Sequence, residues 1–211
     1  HVPKIKLFPE DDKKEPYPIS WEEQRRLMNE LPPYLATMAL FKVNTGLRDQ
    51  EVCKLQWDWE VDVPALDTSV FIIPGHRVKN RRDRLVVLNE IAKSIIEAQR
   101  GLDPTYVFLH RGRPLSRMYN HAWMAACKRA GLSWLRVHDL KHTFGRRLRA
   151  VGVSFEDRQD LLGHKSGRIT THYSAAELEN LLAAANAVCG EKSRNRDVEK
   201  EKPTGVSRLT H

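Results

Sequence analysis

His138-Asp139-Leu140-Lys141-His142-Thr143-Phe144, followed by Leu161-Leu162-Gly163-His164-Lys165-Ser166 and His172-Tyr173-Ser174, are the stretches on which the reading of this chain turns. His138, Lys141 and His142 stand at i, i+3 and i+4, so on a helix they share one face. The spacing predicts that helix over 138–150, closed near Gly152, and a further helix over 154–162 stopped by Gly163. Ser174-Ala175-Ala176-Glu177 is a capping box that opens an apolar helix to about Val188. His164 follows a helix end into a loop, and Tyr173 stands nine residues later. Taken singly, such a histidine is an ordinary surface residue and such a tyrosine is half-buried packing.

Outward from that region, Ser20-Trp21-Glu22-Glu23 is another capping box, and Pro32-Pro33 stops the helix it opens. Tyr34 to Val43 reads as a buried helix because its polar residues are few. Gly46 breaks it, and the pattern predicts a helix from about Leu47 to Trp57. Residues 69–74 and 83–88 read as strands joined through the polar, basic segment Gly75 to Arg82 as a hairpin. Asn89 caps a helix ending at Gly101, Tyr106-Val107-Phe108 is a short apolar run of open type, and Ser116 to Ala130 reads as a helix closed by Gly131. The expected fold class is mainly α with one small antiparallel β-sheet, an α+β domain.

The chain has 211 residues, of which 41% are apolar and 29% charged, and a formal charge of +8. These values exclude a collagen-like, wholly disordered or membrane-spanning chain. The apolar run Leu85–Leu88 is far below the ~18 residues that cross a bilayer. Cys53, Cys127 and Cys189 are widely spaced and odd in number, which speaks against a disulfide framework or a cysteine zinc site and fits a reducing compartment. Residues 1–18, with Pro3, Pro9, Pro16 and Pro18, read as a linker from a domain upstream. Residues 19–188 read as one domain, and 189–211 as a charged, disordered tail. The positive balance favours an anionic partner, nucleic acid being the commonest.

Thr45-Gly46-Leu47-Arg48 puts Arg48 in the first turn of a helix, where its guanidinium can fork onto two phosphate oxygens; Glu51, three residues on, can brace it. The hairpin gathers Arg77, Lys79, Arg81, Arg82 and Arg84 against Asp83, and so many like charges repel one another unless a polyanion meets them. A lysine on such a hairpin can also reach into a cleft as a general acid. His138-x-x-x-His142 has the zinc-helix spacing, but Asp139 stands where the general-base glutamate is needed and no third ligand follows. No metal and no cofactor is expected.

Arg48, Lys79, His138, Lys141, His164 and Tyr173 in this order resemble the catalytic domain of the tyrosine recombinases, the phage integrases, over residues 18–188. The family pattern is an arginine after a Thr-Gly-Leu turn, a hairpin lysine, His-x-Leu-Arg-His, Leu-Leu-Gly-His, and a tyrosine about nine residues on. The His138 and Leu161-to-Tyr173 blocks are its specific parts; Lys79 is placed by context, with Arg77 and Arg81 as competitors. The resemblance implies the fold shared with type IB topoisomerases, and a site-specific recombinase that integrates or excises a prophage or genomic island. Tyr173 would be the nucleophile, and His138 would take its proton or orient the phosphate. Lys79 would protonate the leaving oxygen, Arg48 and Lys141 would hold the non-bridging oxygens, and His164 would donate a further hydrogen bond. Glu51 and His142 would support them.

One position departs from the pattern. Lys141 stands where the family has arginine, which keeps the charge and loses the bidentate fork. Arg146, five residues on, is expected on a different face, contacting DNA rather than replacing it. The resemblance further implies duplex DNA as partner and a homotetramer on paired DNA sites, with the present chain monomeric by itself. It implies a bacterial, cytoplasmic, nucleoid-associated setting. The competing readings are a weakened DNA-binding remnant marked by Lys141, a type IB topoisomerase, and, more distantly, a zinc hydrolase.

Overall fold

The structure, a computed structural model, describes residues 15–164 and 174–189. The Ser20 hydroxyl accepts from the Glu23 amide while the Glu23 carboxylate accepts from the Ser20 amide, and this box starts α1 (Trp21–Glu30). Pro33 restarts the chain as α2 (Pro33–Thr45), its fixed φ suiting a first turn. Leu35, Met38, Ala39, Phe41 and Val43 of α2 are core, and Lys42 is enclosed with them at 0% exposure. Gly46 ends α2 at φ 65°, and a Cβ there would stand 2.8 Å from the Phe144 ring. Conformation and space thus both require glycine.

The helix expected to reach Trp57 is only α3 (Asp49–Cys53). Beyond it the backbone bonds sideways: Val107 donates to the Leu55 carbonyl and Trp57 donates to the Thr105 carbonyl, each at 3.0 Å. This non-local pairing takes the groups that a longer helix would have used, and it settles the 106–108 run as its partner.

The sheet has a strand that the sequence reading did not anticipate. β1 (Glu60–Val63), β2 (Thr68–Ile73) and β3 (Arg84–Val87) run antiparallel in that order, with Glu60 opposite Phe71 and Val70 opposite Val87. β1 is short and charged, so only its pairing to β2 makes it a strand. The sheet is covered on both faces. Phe71, Ile73 and Val86 join the main core with α2 and with α4 (Glu90–Gln99), capped by Asn89. Val70, Leu85 and Val87 meet Phe144 and Leu148 of α6 (Asp139–Ala150) and Leu161 of α7 (Phe155–Leu162). Leu181 of α8 (Ala175–Asn186) joins the same cluster.

α5 (His121–Arg129), capped by Asn120, begins later than Ser116. The backbone before it is already engaged: the Ser116 carbonyl accepts from the Gln50 side chain, and the Met118 amide donates to Asp49 Oδ1 at 3.0 Å. The linker expectation falls outside the described residues except for 15–18, and the tail expectation except for residue 189.

Candidate active site

Two turns that are far apart in sequence, at the C-terminal ends of α2 and α7, meet against the N-terminal half of α6. The first is Gly46-Leu47-Arg48. Two buried lysines hold its carbonyls: Lys42 Nζ donates to the Leu47 carbonyl, and Lys141 Nζ donates to the Gly46 carbonyl at 3.0 Å. Lys141 also donates to the Leu162 carbonyl of the second turn, Leu162-Gly163-His164. One side-chain amino group therefore ties both turns to α6. Sequence reasoning missed Lys42; its only signal was a cation inside an otherwise apolar helix.

Arg48 caps α3 and is braced as expected. Its Nη1 donates to Glu51 Oε1 at 2.9 Å and its amide to Glu51 Oε2 at 2.7 Å. The Glu51 side chain is 2% exposed and that of Arg48 26%, so the carboxylate is hidden and the guanidinium reaches the surface. Burial by itself would raise the Glu51 carboxyl; the Arg84 charge and the bonds from Arg48 overcome it and hold the group below its ordinary value.

His138, Lys141, His142, Gly145, Arg146 and Arg149 line one side of a cleft of about 380 Å³. Pro18, Arg158, Leu162 and His164 line the rest. Arg146 was expected on another face of α6. It stands one turn after His142 and lines this same cleft, because the face used is wider than the i, i+3, i+4 stripe alone. The His138 and His142 rings meet edge to face at 4.8 Å. Asp139, the residue at the zinc-motif position, is spent on structure: its carboxylate accepts from the Arg136 side chain and amide and from the Tyr17 amide.

The cleft is a place where positive charge is costly. Burial, then the charges of His142, Lys42 and Lys141, push His138 down to about 4. Burial, then Arg84 and Arg48, push Lys141 down to about 6. Burial also lowers His142 and His164, and takes Lys42 down to about 8. His138 is thus a neutral imidazole at pH 7, able to accept a proton, in surroundings that favour an incoming anion.

These shifts fix a sign for stability. Lys141 ordinarily holds its proton to pH 10.5 and in the fold releases it near 6. Between those values the unfolded chain carries the extra proton, so this group makes stability rise with pH. Lys141→Met is expected to flatten that rise by up to about 1.4 kcal/mol per pH unit. It also strands the Gly46 and Leu162 carbonyls, so Tm falls at every pH. Urea midpoints measured from pH 6.5 to 9.5 check this, and an unchanged slope rules it out.

The hairpin only partly follows expectation. Its loop is pinned by the Gly75 amide donating to Asp83 Oδ1 at 2.8 Å, and Arg77, Lys79, Arg81 and Arg82 are exposed on it. Lys79 does not line the cleft of His138. Arg77 lines a separate polar cleft of about 470 Å³ with Gln50, Glu51, Lys54, His76 and Tyr106. Arg84 was expected on the DNA-facing side and is not there. It is 2% exposed, and Nη1 and Nη2 donate to the Asp160 and Leu161 carbonyls at 2.7 and 2.6 Å. As the first residue of β3, it turns inward toward the end of α7. Tyr173 lies outside the described residues; Ser174, the next residue, caps α8, which packs against β3.

The arrangement resembles known proteins along most of its length. The Salmonella phage P22 integrase is 28% identical over 186 residues, an alignment covering 81% of this chain and 47% of that protein. The tyrosine recombinase XerA of Thermococcus kodakarensis is 27% identical over 179 residues, covering 80% of this chain and 61% of that one. The chain therefore spans about half to three-fifths of the length of these relatives. Among solved structures, the XerH site-specific recombinase bound to its difH substrate in a pre-cleavage complex superposes with a TM-score of 0.53 at 22% identity, over 83% of this chain and 56% of that one. That likeness establishes the fold as that of a tyrosine recombinase catalytic domain. The phage integrase family profile matches residues 19–180, from the α1 cap through both turns to the first half of α8, and the chain belongs to that family.

Proposed function

We propose that this chain is the catalytic part of a site-specific DNA recombinase that cleaves and rejoins duplex DNA through a 3′-phosphotyrosyl intermediate. The observation that carries the reading is the cleft lined by His138, Lys141 and His164 with room for a phosphate, to whose wall Lys141 ties the Arg48 turn through the Gly46 carbonyl. Tyr173 Oη attacks the scissile phosphorus as the bond to the 5′-oxygen breaks. His138, neutral before DNA arrives, takes the tyrosine proton, and Lys79, exposed on the hairpin outside this cleft, reaches in with bound DNA to protonate the leaving 5′-oxygen. Arg48, held by Glu51, and His164 stabilise the non-bridging oxygens as charge builds. The ester bond energy is kept in the phosphotyrosine, so a second 5′-hydroxyl rejoins the strand without a nucleotide cofactor.

Lys141 has a different part from that of a forked arginine. Two of its three donors join the Arg48 turn to the His164 turn, and the third remains for a phosphate oxygen. A site built around the lysine in this way favours a working enzyme over a weakened remnant. The similarity to XerA and to the P22 integrase favours partner exchange over topoisomerase-like relaxation. We place the whole protein, with a DNA-clamping domain before residue 19, as a tetramer on paired DNA sites in a bacterial cytoplasm, integrating or excising a mobile element. Arg77, Arg81, Arg82 and Arg146 are its DNA contacts from the hairpin and the cleft, and His142 supports His138.

The test is trapping. Nicked duplexes that carry the ends of the host element are incubated with the protein and quenched in detergent; the expected result is DNA bound covalently to protein. Free DNA in every lane, with full-length protein included, overturns the reading. The depressed cleft groups add a second expectation. A phosphate restores the charge of Lys141, while His138 stays neutral as the base, so binding near pH 7 takes up a proton. Calorimetry in buffers of different ionisation enthalpy is expected to give a net uptake, and zero uptake or release contradicts it.

A further inference from the structure

A patch of charge lies outside the cleft and the β2–β3 hairpin. Before α5 the chain runs His110-Arg111-Gly112-Arg113-Pro114-Leu115-Ser116-Arg117. His110 and Arg113 pair across a tight turn, the His110 amide donating to the Arg113 carbonyl at 2.9 Å and the Arg113 amide returning a bond at 3.2 Å. The central residues Arg111 and Gly112 have φ 54° and 73°, the form of a type I′ hairpin. At the first of these positions asparagine or glycine is the low-cost choice, and an arginine costs about 1 kcal/mol there. The turn itself gives no reason for arginine.

The hairpin is firmly seated. The His110 ring stacks on Tyr34 of α2 with centroids 3.8 Å apart and planes 20° from parallel. The segment that follows is fastened to α3 at two points, Ser116 to Gln50 and Met118 to Asp49. Arg117 lies between those fastenings, so it is carried alongside the helix that Arg48 caps. Arg111, Arg113 and Arg117 are all exposed, and none of them forms an ion pair among the described residues. Three unneutralised guanidinium groups on a rigid, strained scaffold repel one another unless an extended anion meets them.

We propose that Arg111, Arg113 and Arg117 form a second phosphate track, which grips the backbone of duplex DNA next to the scissile phosphate. The proposal rests on the DNA-cleaving reading above. Its consequence is positional: through Asp49 and Gln50 the track and Arg48 share one helix, so DNA held on the track is held in register with the cleft.

The experiment measures binding of a fluorescein-labelled duplex of arbitrary sequence over a series of potassium chloride concentrations. The plot of log affinity against log salt has a slope set by the number of phosphates neutralised, about 0.9 for each. Changing Arg111, Arg113 and Arg117 together to glutamine is expected to reduce the slope by about 2 to 3 and to weaken binding at low salt at least about tenfold. Changing all three to lysine keeps the charge and is expected to keep most of the slope. An unchanged slope in the glutamine variant overturns the proposal, and so does an equal loss in both variants, which would mark damage to the hairpin. A parent protein that binds no duplex sinks the DNA-cleaving reading itself, so the two failures are told apart.

Discussion

Protein carrying Tyr173→Phe will bind duplex DNA as the parent does and will form no covalent adduct. The substitution removes one oxygen and no charge, so the cationic groups that meet DNA are untouched. What disappears is the atom that attacks phosphorus. No other side chain in the proposed constellation can replace it: His138 and His164 are imidazoles whose phosphoryl adducts hydrolyse readily, and Lys141 is bonded into two turns. The loss in cleavage is expected to be at least about 10³-fold, the range seen when a nucleophile is deleted from an otherwise intact site. Detergent-quenched trapping together with a binding assay on the same protein reads both halves of the prediction. An adduct of undiminished yield assigns the nucleophile elsewhere.

The second large effect is structural and falls on Gly163. This residue ends α7 at φ 60°, where an L side chain is strained. A Cβ would also stand 2.5 Å from Arg84 Cδ and Nε and 2.6 Å from Cζ. Arg84 is buried and holds two α7 carbonyls, so it cannot swing aside without losing charged hydrogen bonds. Gly163→Ala is therefore expected to cost about 3–5 kcal/mol, from left-handed strain near 1 kcal/mol plus loosened arginine bonds. For a domain of this size Tm would fall by about 6–20 °C. Cleavage would fall as well, because His164 is the next residue and Leu162 is a partner of Lys141. A double-mutant cycle isolates the cause. In an Arg84→Ala background the added methyl has room, and its cost should drop to the backbone strain alone. Equal costs in the two backgrounds would show that the Arg84 contact is immaterial.

The helices with strong local signals were legible from the sequence. The capping boxes at Ser20 and Ser174, Asn89 before α4, and the glycine stops at 46 and 163 all fall where the structure has them, because a cap is a contact within a few residues. The errors share one origin, bonds to partners outside the segment itself. α3 is short because residues 55–57 bond to 105–107, α5 starts late because 116–118 are bonded to α3, and β1 exists because β2 pairs with it. For α3 and α5 that information lies tens of residues away, whereas β1 pairs with the adjacent β2 and was hidden by its own short, charged composition.

The candidate site divides in the same way. Residue types and their order, from Arg48 through His138 to Tyr173, are properties of the sequence, and they were enough to name the family and the chemistry it implies. The jobs of individual cations were not. Arg84 and Lys79 sit in one basic run, yet one is buried under α7 and the other is exposed on the loop. Lys42 and Lys141 look like a stray charge and a weakened arginine, yet together they clamp the turn that carries Arg48. Composition and spacing fixed the inventory of charges. Which of them face DNA and which hold the framework depended on burial and on carbonyls brought together from residues far apart in the chain, and only the folded structure decides that.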